Sequence, residues 1–187
     1  GGGWMGGDKQ TYFLRTLPYL EMGFAVVNVE YRLGSRALAP AAVQDCRCAL
    51  RWVFQHAREM RFDTGRVVVA GDSAGGHLAL MTGMLAGSEG LDDLCPGDGP
   101  MPVAAIINNR GITDVNDLLS GEHRRAWAVQ WLGGQPGKDD VARRVSPLRY
   151  VRPGLPPILT VHGDQDPTVP YDHAVRLHEA LTKAGVK

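Results

Sequence analysis

The sequence feature that most constrains this chain is a six-residue motif, Gly71-Asp72-Ser73-Ala74-Gly75-Gly76. An unbroken apolar run at residues 67–70 precedes it, and a helix-like segment follows from His77. A chain that passes from a strand to a helix through G-x-S-x-G turns sharply at the serine, and glycine lets the two elements approach closely because it has no Cβ. Backbone N–H groups and the helix dipole would then favour negative charge beside the Ser73 hydroxyl. The motif predicts a serine nucleophile; a helix N-cap serine between turn glycines is the alternative.

The remaining pattern predicts an α/β fold. Four apolar runs are continuous rather than alternating, as in strands that are covered on both faces of a parallel sheet; they are residues 24–29, 67–70, 103–107 and 158–161. Helical periodicity separates them, at residues 41–58, after the serine motif and at 171–184. Residues 8–22 also favour a helix, which Pro18 should limit to a shorter first piece. We expect a mostly parallel sheet with helices on both faces.

Two segments lack this regularity. Residues 87–102 are rich in Gly, Pro and Asp and are typical of a loop. Residues 114–152 lie between the third and fourth predicted strands and contain Trp127 and Trp131. We interpret them as a cap or lid segment within a single domain that spans residues 1–187. An ordinary connection whose tryptophans pack inward is the alternative.

Composition excludes several classes of function. Lys and Arg number 20, as do Asp and Glu, so no net charge directs the chain to nucleic acid or to an acidic membrane surface. No run reaches the roughly 18 apolar residues of a membrane span. Cys46 and Cys48 point to different faces of a predicted helix, and Cys95 lies in the predicted loop. These three cysteines match neither a zinc site nor a disulfide framework, so we expect free thiols.

A serine nucleophile needs a base, an orienting carboxylate and donors for the oxyanion. Asp166 follows the fourth predicted strand and so lies at the same sheet edge as the serine motif. Asp164 is the alternative acid, although a turn aspartate that bonds its own backbone suits it better. The glycines of Gly1-Gly2-Gly3-Trp4 would let backbone N–H groups point at a substrate carbonyl oxygen, and a flexible tail is the alternative.

These segments resemble the α/β-hydrolase superfamily, in particular its hormone-sensitive-lipase-like branch of bacterial carboxylesterases and feruloyl or acetyl-xylan esterase-like enzymes. Gly1-Gly2-Gly3-Trp4 is similar to the family's His-Gly-Gly-Gly-Trp without its first residue. The other matching segments follow in the family's order: Asn28–Leu33, Asp45 with Arg51-Trp52, the serine motif, Ser146-Pro147 and the loop 162–166. The resemblance covers essentially the whole chain.

The resemblance implies a serine carboxylic-ester hydrolase that works through an acyl-enzyme on a small-molecule ester. Ser73 would be the nucleophile and Asp166 the acid of the triad. Ala74, together with Gly2 and Gly3, would supply the oxyanion donors. The chemistry needs no metal and no organic cofactor.

The same resemblance places the catalytic histidine ~20–35 residues beyond the acid. The chain ends at Lys187, and none of its six histidines has that place; they are His56, His77, His123, His162, His173 and His178. We therefore expect the catalytic histidine to be not in this chain.

A strand that the family has before Gly1, between those corresponding to residues 24–29 and 67–70, is also missing. We expect an internal fragment with an incomplete α/β-hydrolase fold that lacks the first strands and the last strand. Each backbone group left buried and unpaired would cost on the order of 1–3 kcal/mol. The polypeptide alone should be poorly stable and inactive, and its full-length parent an esterase. Robust hydrolysis of a p-nitrophenyl acetate-type substrate by these 187 residues would contradict this.

Two other functions stay open. An arylformamidase-type amidase of the same fold would share the glycine segment and the serine motif, and turnover of esters and N-formyl aromatic amides would separate the two. A non-catalytic homologue that acts as a binding protein would lack the histidine in its gene as well. A dinucleotide site is excluded because no G-x-G-x-x-G follows the first predicted strand.

Overall fold

The computed structural model describes residues 1–85 and 90–187. Three parallel strands form its sheet in the order β1-β2-β3: β1 Val68–Asp72, β2 Ala105–Asn109 and β3 Ile158–Val161. In the register, Asp72 is opposite Asn109, and Asn109 is opposite Val161. The three strands therefore end level with one another, and the residues that follow them meet at one carboxyl edge.

Seven helices accompany the sheet in the described part of the chain and lie on both of its faces: α1 Phe13–Glu21, α2 Ala41–Gln55, α3 Ala57–Met60, α4 Ala74–Met84, α5 Ala126–Leu132, α6 Lys138–Arg144 and α7 Asp172–Lys183. Short 3₁₀ turns occur at Gly2–Trp4, Thr64–Arg66, Asn116–Leu118 and Pro147–Tyr150. The helix α4 packs against β1, β2 and α2, and nearly all of its side chains are buried. Its apolar sequence on every side explains this central position. The described helices include none that is long and apolar enough to cross a bilayer.

The predicted α/β fold and three of its four strands are confirmed, with shifts of one or two residues at their ends. The strand predicted at residues 24–29 is wrong for this structure, because these residues join no sheet ladder. Phe24 and Val27 are 45% and 41% exposed. A strand is stable only when a neighbouring backbone accepts its hydrogen bonds, and the described residues bring no strand alongside this segment.

Two helix predictions need correction. The helix predicted at residues 41–58 is interrupted at His56, which separates α2 from α3. Pro18 does not limit the first helix to a shorter piece, since α1 continues through it to Glu21. The proline ring removes one N–H donor from this helix, and α1 buries none of its residues.

The prediction of three free cysteines is also wrong. Cys48 on α2 and Cys95 form a disulfide, whereas Cys46 is a free thiol. The predicted loop at 87–102 is irregular from residue 90 onward, and residues 86–89 lie outside the described part of the chain. Side chains of α2 also bind this loop, since Arg51 donates to the carbonyls of Asp98 and Gly99. The two cysteines are 47 residues apart in the sequence, so their pairing could not be predicted from their spacing. Only the folded loop brings them together.

Residues 114–152 contain α5 and α6 and contribute to the core. Trp131 is fully buried and stacks on Trp4 with ring centroids 4.0 Å apart. Trp127 is half-buried and lies against Gly3, where a Cβ would be 3.0 Å from the Trp127 Cγ. The part of the segment that reaches the turn at Gly2–Trp4 is therefore α5. Its interpretation as a cap or lid stays a prediction.

Candidate active site

Ser73 lies at the sharp turn between β1 and α4. Its φ is 56° and its ψ −120°, a conformation that non-glycine residues rarely adopt. Its N–H donates to the Asn109 carbonyl at 2.9 Å, and its own carbonyl accepts from the His77 N–H at 3.0 Å. These two hydrogen bonds hold the strained residue from both sides, as is typical of functional sites.

Two of the glycines around Ser73, Gly71 and Gly76, are sterically required, whereas a Cβ at Gly75 would make only an ordinary contact, 3.5 Å from the Gly1 nitrogen. A Cβ at Gly71 would overlap the carbonyl of Gly75, and one at Gly76 would lie 2.9 Å from the Asn109 carbonyl oxygen. Backbone atoms cannot move aside as the end of a flexible side chain can. The strand and helix therefore approach as closely as the sequence motif predicts, and Ala74 becomes the first residue of α4. A first-turn N–H has no partner within its own helix.

The glycine turn at residues 2–4 is packed beside α4. Gly2, Gly3 and Trp4 all have left-handed φ angles, of 74°, 56° and 60°. The Gly2 carbonyl accepts from the N–H groups of Met5 and Gly6. The N–H groups of Gly2 and Gly3 donate to no group within the described ranges. The turn thus has two unused donors on the side of the sheet where Ser73 lies.

Trp4 fastens this turn to α4 through His77. The Trp4 Nε1–H donates to the His77 Nδ1 at 3.1 Å, and the His77 Nε2–H donates to the Val145 carbonyl at 2.6 Å. Burial lowers the pKa of His77 to about 4, although the bond to Val145 acts in the opposite direction. His77 is therefore neutral at pH 7, and both of its ring nitrogens are occupied. This pair is not evident in the sequence, because 73 residues separate its members.

Asp166 lies in the loop after β3, and its side chain is only 6% exposed. Its Oδ1 accepts the N–H groups of Thr168 and Val169 at 2.7 and 3.1 Å. Its Oδ2 is 3.6 Å from the Arg110 Nη1 and 3.7 Å from the His162 Nε2, which is beyond hydrogen-bonding distance. Burial raises the pKa of Asp166, but the two backbone donors and the charges of Arg110 and His162 outweigh burial and lower it. The carboxylate is ionised at neutral pH and has one oxygen available.

The alternative acid, Asp164, is exposed, and no hydrogen bond to its side chain occurs in the part of the chain that the structure describes. The prediction that Asp164 is the aspartate that bonds its own turn is wrong. Asp166 has this role, because its side chain accepts from N–H groups two and three residues later.

Arg110 joins the ends of all three strands. Its Nε and Nη2 donate to the two carboxylate oxygens of Asp72 at 3.0 and 3.3 Å, and its Nη1 faces Asp166. Arg15 also approaches Asp72, at 3.6 Å. No sequence motif includes Arg110, although its place directly after the end of β2 is a signal that could have revealed it.

The six histidines form no hydrogen bond with the Ser73 hydroxyl anywhere in the described ranges. His162 donates to the Val169 carbonyl at 3.1 Å, and its side chain is 1% exposed. His173 is buried, and both of its ring nitrogens are occupied, by the Thr113 N–H and by Asp117. The other three lie elsewhere: His56 contacts the Trp52 carbonyl, His123 contacts Asp117, and His178 is exposed on α7. None is positioned to act as a base for Ser73.

The chain is similar to a protein-family model and to known proteins over nearly its whole length. The family model BD-FAE matches residues 1–181. Carboxylesterase NlhH of Mycobacterium tuberculosis is 40% identical over 192 residues, which cover 100% of this chain and 60% of the relative. Among solved structures, esterase 2 of Thermogutta terrifontis, phosphoramylated by tabun, has a TM-score of 0.80 at 31% identity. The match covers 100% of this chain and 66% of the esterase chain.

A second solved structure, a bifunctional GH43-CE protein of Bacteroides eggerthii, has a TM-score of 0.83 at 27% identity. The match covers 99% of this chain and 26% of the Bacteroides eggerthii protein. The chain spans about half the length of the curated relatives it matches.

Proposed function

Because the chain belongs to the BD-FAE family of α/β-hydrolase esterases, we propose that the whole protein is a serine carboxylic-ester hydrolase whose nucleophile is Ser73. One observation carries the proposal, namely that these groups meet at one edge of the sheet. The strained Ser73 lies beside a glycine turn with unused N–H donors. Arg110 connects Asp72, the residue before Ser73, with Asp166. The small-molecule ester substrate is part of the proposal.

The reaction would proceed through an acyl-enzyme. The Ser73 Oγ attacks the ester carbonyl carbon and transfers its proton to a base. The carbonyl oxygen becomes an oxyanion, which the N–H groups of Gly2, Gly3 and Ala74 would stabilise. The alcohol leaves as the base returns the proton, and water then hydrolyses the acyl-enzyme by the reverse sequence of proton transfers.

The base in this proposal is a histidine of the whole protein that lies outside these 187 residues. The proposal is supported by the contacts of the histidines described above. None of them forms a hydrogen bond with the Ser73 hydroxyl, and the buried ones bond to other groups. Asp166 would orient that histidine through its Oδ2, because its Oδ1 is already bonded to the loop backbone. A buried, ionised carboxylate in this position fixes the tautomer of the imidazole and stabilises its cation.

The experiment is hydrolysis of p-nitrophenyl acetate by the whole protein, together with labelling by a fluorophosphonate probe. We expect the probe to modify Ser73 and Ser73→Ala to reduce kcat by about 10⁴-fold or more. Asp166→Asn should reduce kcat by roughly 10²–10⁴-fold, since it removes the charge that stabilises the base.

Asp164→Asn is the matched control, because Asp164 belongs to the same loop but is exposed. It should retain activity close to that of the unmodified protein. A probe that labels a different residue, or a loss of activity in Asp164→Asn but not in Asp166→Asn, would contradict the assignment. Preferential turnover of N-formyl aromatic amides would indicate the amidase instead.

A further inference from the structure

We infer that Arg110 is a positioning residue that holds the triad acid Asp166 in place relative to the turn between β1 and α4 that contains Ser73, here called the serine turn. The inference rests on the proposed function, because it assigns Arg110 a part in the same reaction. Arg110 would touch neither the substrate nor the reacting atoms, and would act through Asp72 and Asp166.

The backbone of Arg110 is fixed between the serine turn and the loop that carries Asp166. Its N–H donates to the Val161 carbonyl at the end of β3, at 2.7 Å. The preceding carbonyl, that of Asn109, accepts the Ser73 N–H. The φ of Arg110 is 42°, a left-handed conformation that is costly for a side chain of this size. The surrounding hydrogen bonds impose this conformation and direct the guanidinium along the carboxyl edge.

The side chain is fixed by a two-point contact. A guanidinium presents its donors in a rigid planar fork that matches the two oxygens of a carboxylate, and Asp72 accepts both bonds. This arrangement leaves the Nη1 facing the Asp166 Oδ2 at 3.6 Å. A lysine would keep the positive charge there but could not form the same fork.

The distance to Asp166 suits a positioning role. At 3.6 Å the cation attracts the carboxylate without occupying the oxygen that the base would need. The other groups around Asp166 are His162 and the N–H donors of Thr168 and Val169. Asp72 faces Arg15 as well, but the Arg15 side chain is 66% exposed, compared with 40% for Arg110. Arg110 is therefore the cation that is shared by the two carboxylates.

Removal of this cation should have two measurable effects on the whole protein. The carboxylate loses a restraint, so kcat should fall on the order of tenfold with little change in KM. The base also loses a nearby positive charge, which raises its affinity for a proton. The acidic limb of the kcat/KM profile should therefore move to higher pH, by roughly 0.5 to 1 pH unit.

The experiment compares pH profiles of three variants. Arg110→Gln should show both effects. Arg110→Lys should restore the acidic limb while kcat stays reduced, because the charge returns without the fork. Arg15→Gln, which removes the exposed neighbour from the same Asp72, should match the unmodified protein in both respects.

The outcomes separate this inference from the proposed function. An unmodified protein without esterase activity, or without labelling at Ser73, would overturn the proposed function before any Arg110 variant is compared. An active protein whose Arg110→Gln profile superimposes on the original, or which loses thermal stability alone, would overturn the inference. If Arg110→Gln does not fold, Arg110→Lys decides: reduced kcat supports the inference and unchanged kcat overturns it.

Discussion

The two edges of the sheet each contain an arginine paired with an aspartate, yet the two pairs differ in their surroundings. At the carboxyl edge, the side chains of Arg110 and Asp72 are 40% and 15% exposed. At the amino edge, where β2 and β3 begin, the side chains of Arg47 and Asp92 are 5% and 8% exposed. A cavity of about 700 Å³ lies at the amino edge, lined by both members of this second pair.

The difference shows that a polar cavity alone does not identify a site. At the amino edge the two terminal nitrogens of Arg47 are used internally, since they donate to the Thr82 carbonyl and to Asp92, whereas its buried Nε has no partner in the described residues. The disulfide between Cys48 and Cys95 closes the same region covalently. At the carboxyl edge the N–H groups of Gly2 and Gly3 remain unused in the described part of the chain. The strained non-glycine backbone of Ser73 and Arg110 distinguishes the carboxyl edge from the amino edge, where a disulfide and a buried ion pair stabilise the fold.

The largest expected loss of stability follows from breaking the buried ion pair between Arg47 and Asp92 at the amino edge. Arg47→Gln leaves the Asp92 carboxylate without its cation, so the free energy of unfolding of the whole protein should fall by about 3–5 kcal/mol. Urea denaturation followed by circular dichroism measures the loss. The acidic limb of the kcat/KM profile should not move, because this pair lies at the opposite edge from Ser73.

Arg110→Gln is the matched control for stability. Its pair with Asp72 is partly exposed, so the free energy of unfolding should change by less than about 1 kcal/mol. Equal losses of stability in the two variants would show that the contrast between the edges is wrong.

A second, smaller effect concerns the disulfide of the amino edge. Replacement of Cys48 and Cys95 by serine together should lower the free energy of unfolding by about 2–4 kcal/mol, since the cross-link no longer restricts the unfolded chain. Activity towards an ester should persist. Peptide mass spectrometry of the unmodified protein should detect the linked pair, and reduction should abolish it. A linkage that includes Cys46 would contradict the structure.

Features determined by local sequence were predictable. Gly71 and Ser73 belong to one turn, whose geometry follows from the need to pass from a strand to a helix within a few residues. Asp166 could be placed because it follows an apolar run that forms a strand of the parallel sheet. Their catalytic roles remain predictions, although the structure brings the residues to one edge.

Features that depend on distant partners were not predictable. Residues 24–29 have the composition of a strand, but ladder hydrogen bonds come from a neighbour and not from composition. The disulfide and the Trp4–His77 bond each join parts of the chain that only the folded structure brings together. Arg110 was overlooked for a related reason: its importance follows from Asp72 and Asp166, and charge alone does not distinguish it from the other arginines.

An effect smaller than that of the disulfide is expected at the carboxyl edge, where two stacked tryptophans differ in one hydrogen bond. The Trp4 Nε1–H donates to His77, whereas the Trp131 Nε1–H is buried without a partner in the described ranges. Phenylalanine removes the N–H in either case, but only Trp4→Phe leaves a buried His77 nitrogen unpaired. Trp4→Phe should therefore cost about 1–2 kcal/mol more than Trp131→Phe in urea denaturation. Equal costs would mean that ring packing, and not the bond to His77, fastens the glycine turn.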